Sequence, residues 1–138
     1  MHNKLNIRID DFPFKHQIKT RWRDLDAFKH VNNATFLSYI EDARILFFNR
    51  WSINLKEKSL IVASVKIDYI SQLEHPSNII IGQNISRIGT KSFDIQSAIF
   101  TENDMRLVCI STVTSVCFNF IKNQSVEVFE EVKKDYNG

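Results

Sequence analysis

From Ala34 to Asn49 the chain reads as a helix that is apolar around most of its girth, and almost everything after it reads as strand. At about 100° per residue, Phe36, Leu37, Ile40, Ala43, Phe47, Phe48 and Trp51 share one wide face, which Tyr39, Ile45 and Leu46 extend. Only Thr35, Ser38, Asp42 and Asn49 form a clearly polar strip. Such a helix cannot rest on a surface, because too little of it favours water, so other structure is expected to wrap it. Asn32 or Asn33 supplies the N-cap, a short side-chain oxygen able to accept from an otherwise unpaired helical N–H.

The wrapping material has a period of two. Before the helix, Phe12, Phe14, Ile18 and Trp22 alternate, with His16 and Thr20 on the same face, which predicts a first strand over 12–22. After it, Leu60–Ile70 carries Val65, Ile67 and Tyr69 against Ser64, Lys66 and Asp68. Ile79–Ile88 is rich in β-branched residues and ends at the Gly89-Thr90 turn. Phe93, Ile95, Ser97 and Ile99 alternate next and stop at Glu102-Asn103-Asp104. Val108 to Phe120 forms a long final strand, and the segment from Lys122 stays unassigned. Consecutive strands with short connections make antiparallel sheet. One helix and one such sheet bury each other's apolar faces, which is an α+β layer arrangement. A chain of 138 residues without internal repeats fits one domain spanning 1–138.

Composition narrows the partners. A net charge of +2 is too small to argue for nucleic acid or an anionic membrane surface, and neither is expected as a partner. No window approaches 18 consecutive apolar residues, and Met1–Asp11 has no apolar signal core, so a soluble cytoplasmic protein is expected. Cys109 and Cys117 fall in one strand, where eight residues span roughly 26 Å, against a limit of ~7 Å between disulfide-linked Cα atoms. They are expected to stay reduced, and no His–Cys spacing suggests a metal site.

The residues able to carry chemistry gather between the first strand and the helix: Asp24-x-Asp26-x3-His30-Val31-Asn32-Asn33. A helix start offers unpaired N–H groups and a partial positive charge, which suits a developing oxyanion. A carboxylate seven residues earlier can reach such a place as nucleophile or as base for water. Asp-x-Asp also occurs in loops for purely structural reasons, so spacing alone leaves both readings open.

The run Trp22-Arg23-Asp24-Leu25-Asp26-Ala27-Phe28-Lys29-His30-Val31-Asn32-Asn33, followed by Tyr39-Ile40-Glu41-Asp42-Ala43-Arg44, resembles the signature of hotdog-fold acyl-CoA thioesterases of the 4-hydroxybenzoyl-CoA thioesterase type. The resemblance continues through Val65-Lys66-Ile67-Asp68-Tyr69 and Ile88-Gly89-Thr90-Lys91-Ser92-Phe93, and covers roughly residues 12 to 121. It implies a five-stranded antiparallel sheet wrapped around one long central helix, working as a homodimer or homotetramer. It also implies that Asp26 attacks the thioester or activates water, while the Asn33 backbone N–H polarises the carbonyl and His30 supports the loop or lines the pocket. Coenzyme A phosphates would meet Lys91 and Arg87 near the Gly89 turn, and Ser64 would line the pocket. The substrate would be an acyl-CoA or an acyl carrier protein thioester, with no metal and no cofactor beyond the coenzyme A of the substrate itself. A dehydratase of the same fold and a non-catalytic acyl-thioester binding module are the competing readings.

Four further readings concern individual residues. Asp24 is expected to pair with Arg21 or Arg23, and Arg44, placed in the apolar arc, to pair with Glu41. Lys29 stands where the family often has Gly, a residue that reaches positive φ without strain. Ser71 and Gln72 stand where a basic residue and Pro are common, which removes one expected phosphate contact.

Overall fold

The computed structural model describes residues 6–136. Its spine is α1 (Asn33–Arg50), with strands β1 (Phe14–Lys19), β2 (Ser59–Tyr69), β3 (Asn78–Ile88), β4 (Ser92–Thr101) and β5 (Leu107–Asn119) in one antiparallel sheet. The expected five-stranded hotdog arrangement is present. A two-residue β6 (Gln124–Ser125) pairs with β5, and a short α2 (Glu130–Asp135) follows, so the unassigned C-terminal segment contributes structure of its own.

Sheet order is β1-β3-β4-β5-β2. The chain therefore leaves α1, lays β2 at one edge beside β5, and crosses back to put β3 next to β1. Hairpins join β3, β4 and β5, but β2 meets its partner only across a long sequence separation.

Asn32 caps α1, its Oδ1 accepting from the Ala34 N–H at 2.9 Å. Phe36, Tyr39, Ile40, Ala43 and Phe47 are buried against the sheet, whereas Ile45 and Leu46 are exposed, so this single chain wraps only part of the helix. Arg44 is buried as well, and Glu41 receives it through two hydrogen bonds, of 2.6 and 3.2 Å, as the sequence led one to expect.

Strand β5 turns its small residues to the helix. Cys109 and Val113 join the cluster around Tyr39 and Ile40, and Cys117 joins the cluster around Phe47 and Trp51. Ile110 lies on the opposite face with Phe12, Ala98 and Phe100. Small side chains let the bulky helix sit close, which is a packing choice that alternation alone does not reveal. Both cysteines are buried and unpaired, and burial pushes the Cys109 thiol up to about 12.

The first strand is shorter than its alternation suggests. It ends at Lys19, and Trp22–Asp24 forms a single 3-10 turn that leaves the Trp22 ring exposed. The cause is local: the Asp24 carboxylate accepts from the Arg21 N–H at 2.8 Å and bends the backbone away from the sheet. Phe12 leaves the strand but stays buried, packed over Gly82, where any Cβ would come within 2.7 Å of its ring.

Candidate active site

The loop from Asp24 to Asn33 is built around its two carboxylates. Asp24 is buried and faces inward. It accepts from the Tyr39 phenol at 2.6 Å and from Arg21, whose guanidinium lies 3.1 Å away. Burial alone would raise this carboxyl, but the hydrogen bonds from Tyr39 and Arg21 outweigh it and hold it below its ordinary value. The same arrangement raises the Tyr39 phenol, through burial and the Asp24 charge. Asp24 also accepts the Asn32 N–H on its backbone carbonyl at 2.8 Å, which fixes the entrance to α1.

Asp26 is half-buried and opens to a cleft. Its Oδ1 accepts from the Phe28 N–H at 2.8 Å and the His30 N–H at 3.2 Å, and its own N–H donates to the His30 carbonyl at 2.8 Å. The loop is thus closed on itself, with Leu25 bridged to Val31 and His30 bridged to Glu74. Closing it requires Lys29 at φ 66°, in the left-handed region that costs an L side chain about 1–2 kcal/mol. The position where a glycine is common is therefore one where a glycine would relax the backbone.

A cleft of about 450 Å³ opens at the N-terminus of α1, lined by Asp26, His30, Asn33, Phe36, Tyr69 and the Ile70–Gln72 segment, among others. Asn33 is the first helical residue. Its N–H makes no hydrogen bond among the described residues, while the next N–H is taken by the cap. Such a donor at a helix start, in the same cleft as a carboxylate whose Oδ2 has no partner among the described residues, can stabilise negative charge developing on a carbonyl. The His30 imidazole lines the same cleft and makes no hydrogen bond among the described residues.

Three predicted contacts lie elsewhere. Ser64 sits on β2 opposite Thr114, and Thr114 bonds Asp94 on the sheet face away from α1, so Ser64 is not brought to the cleft. Arg87 is on that outer face too, bound to Asp94 at 2.9 and 3.1 Å and to Ser92 at 3.0 Å. Lys91 is exposed at the β3–β4 hairpin, with no side-chain hydrogen bond or ion pair among the described residues. Ser92 pairs with Val116, while the cleft end of β5 is Cys109 beside Tyr69. Seven residues of strand separate these rows, or roughly 23 Å.

Two cleft elements escaped the sequence reading. Tyr69 donates to the Asn33 carbonyl at 2.9 Å, joining the end of β2 to the first turn of α1. Arg106 donates at 2.7 Å to both Ser71 Oγ and the Gln72 carbonyl, so a cation from the β4–β5 turn holds the segment where the expected basic residue is missing. Neither signal is local: each partner lies more than thirty residues away. Among the described residues no group of three His, Cys, Asp or Glu side chains could hold a metal, and no helix is long and apolar enough to cross a membrane.

The chain is similar to several known proteins. The long-chain acyl-CoA thioesterase FadM of Escherichia coli is 24% identical over 123 residues, covering 86% of this chain and 92% of FadM. The uncharacterized protein YsmA of Bacillus subtilis is 29% identical over 86 residues, and that match spans 61% of this chain and 58% of YsmA. A Thermus thermophilus thioesterase crystallised with coenzyme A and Zn superposes with a TM-score of 0.80 at 26% identity, covering 92% of this chain and 99% of the other. The family model of the Thioesterase-like superfamily matches residues 20–135, and the chain belongs to that superfamily.

Proposed function

We propose that this thioester hydrolase acts on an acyl-CoA, with Asp26 as its catalytic carboxylate and the Asn33 N–H as oxyanion donor. The observation that carries the reading is the pairing itself: the Asp26 carboxylate and an N–H at a helix start, unpartnered among the described residues, line one cleft. Asp26 Oδ1 is held by two backbone N–H groups, which leaves Oδ2 free to attack the thioester carbonyl or to take a proton from water. Either route puts negative charge on the carbonyl oxygen, where the Asn33 N–H and the partial charge of the helix start favour it. Collapse of that intermediate expels the thiolate of coenzyme A. In the water route the free acid leaves directly; in the attack route water then cleaves the acyl anhydride on Asp26 to release the acid and restore the carboxylate. FadM and the coenzyme A complex of the Thermus thermophilus protein support an acyl-CoA substrate.

Two copies complete the site in this reading. β2 is an edge strand, and it exposes Ile61, Val62, Val65 and Tyr69, an apolar edge of the kind that pairs with another chain. Antiparallel pairing of two β2 edges about a twofold axis reverses one sheet relative to the other. Lys91 of the partner subunit then lies at the Asp26 end, where its free ammonium suits the phosphates of coenzyme A. Within one chain the roughly 23 Å separation denies it that role.

The test is thiol release from short, medium, long and aromatic acyl-CoAs, with wild type and Asp26→Asn side by side. Release that disappears in the variant, at unchanged melting temperature, supports the assignment. Full activity in the variant removes Asp26 from the chemistry, and no release by the wild type from any acyl-CoA removes that substrate class.

A further inference from the structure

The first turn of α1 is held from outside as well as by its own cap. Tyr69, the last residue of edge strand β2, donates its phenol O–H to the Asn33 carbonyl at 2.9 Å. Its ring meets Phe36 edge-on at 5.7 Å, one helical turn further in, and both residues line the cleft. Asn33 thus has a carbonyl fixed by the sheet edge and an N–H left open towards the cleft. The N–H and C=O of one residue are joined through its φ and ψ, so gripping the carbonyl limits where the N–H can point. The other holds on this turn, the Asn32 side chain on the Ala34 N–H, the Asn32 carbonyl on the Thr35 N–H and the Asp24 carbonyl on the Asn32 N–H, come from its own loop and cap. Tyr69 alone among these hydrogen bonds ties the turn to the exposed strand edge.

We infer that Tyr69 is a positioning residue, which ties the first turn of α1 to the end of β2 and so aims the Asn33 N–H at the reacting carbonyl. The inference rests on the thioester-hydrolase reading of the cleft. Tyr69 touches no reacting atom in this role; it narrows the orientations of the donor that does. An oxyanion donor is worth most in the transition state, so loosening it lowers turnover and leaves ground-state binding nearly unchanged. Removing a donor outright costs about 10²–10³ in kcat. A donor that is still present but less well aimed is expected to cost roughly tenfold.

The experiment is Tyr69→Phe, which keeps the ring against Phe36 and deletes only the hydroxyl. Turnover is expected to fall roughly tenfold with KM within about twofold of wild type, and with melting temperature and oligomeric state retained. Alongside it, the amide resonances of Asn33 and Ala34 are compared in the two proteins without substrate, and they are expected to shift and to exchange faster in the variant. Unchanged turnover together with unchanged Asn33 and Ala34 resonances overturns the inference. So does a rise in KM at constant kcat, which would make the phenol a substrate contact, or a loss of fold or assembly that accounts for the lost activity. If the wild type releases no thiol from any acyl-CoA, the hydrolase reading falls, while the amide comparison still decides whether Tyr69 holds the turn.

Discussion

The two ends of α1 are made from similar materials and finished in opposite ways. At the C-terminal end Trp51 is fully buried, stacked on Phe47 at 4.4 Å and edge-on to Phe93 at 5.5 Å. Its indole N–H donates to Asp135 at 2.7 Å, and Arg50 grips the same carboxylate with two bonds of 2.6 Å. Every polar atom named there has a partner, and α2 closes over it. At the N-terminal end a carboxylate, an imidazole and a backbone N–H are left with bonding capacity around an open cleft. One end uses its aspartate to seal the fold. The other holds Asp26 by one oxygen and leaves the second available. Unspent polar capacity beside a cavity is what separates a site from a joint.

That contrast can be broken by exchanging what each end loses. Asp26→Asn should reduce thioester hydrolysis roughly 10³–10⁴-fold while moving the melting temperature little, as measured by thiol release and thermal denaturation. Trp51→Ala at the sealed end should do the reverse, costing about 3–5 kcal/mol in denaturant unfolding through the cavity it leaves. Loss of activity there beyond the unfolded fraction would show that the two ends are coupled. Asp24→Asn, two residues from Asp26 but buried, should resemble the sealed end. It strips the charge that Tyr39 and Arg21 bond, at about 2–3 kcal/mol of stability.

Acid sharpens the comparison. Arg50 holds the Asp135 carboxyl below its ordinary value, assisted by Trp51, and Tyr39 with Arg21 does so for Asp24 against the effect of burial. Both carboxyls are depressed in the fold, so both stabilise it above about pH 4, the unfolded carboxylate value. That contribution is lost as pH falls from there through their folded values. The melting temperature of the wild type should drop across this window, and Asp135→Asn should flatten the drop. An equally steep profile in the variant would show that Asp135 does not carry it. The smallest effect is expected at Lys29→Gly, which relaxes the φ 66° backbone. Relief of that strain, partly offset by a freer unfolded chain, should add about 0.5–1 kcal/mol to stability.

Much of this was legible before any fold was known. The helix was expected over 34–49 and runs over Asn33–Arg50, because its apolar spacing extends for several turns and Asn32 marks its start. The four strands after it were visible as alternation ending at Gly89-Thr90 and Glu102-Asn103-Asp104. Trp22 shows the limit: it continued the alternation of the first strand, yet a carboxylate two residues on pulls the chain into a turn. That Asp26, His30 and Asn33 meet at one cleft was readable because they are neighbours in sequence, and a loop feeding a helix keeps neighbours together. Ser64, Arg87 and Lys91 were not, since their distance from Asp26 depends on strand order and on which way each strand faces.

The sequence by itself determined what is local: the periodicities, the cap, the paired Glu41 and Arg44, and the loop that carries a carboxylate to a helix start. Those follow from bonds and spacings within a few residues, where backbone geometry leaves little choice. Only the tertiary structure decided that β2 lies beside β5 at the end of the sheet order, and that β5 packs its cysteines and valines, not Ile110, against the helix. It alone brought Tyr69 to Asn33, Arg106 to Ser71 and Asp135 to Trp51. Those contacts join distant residues, and a period of two marks which side chains share a face without saying which face is inside.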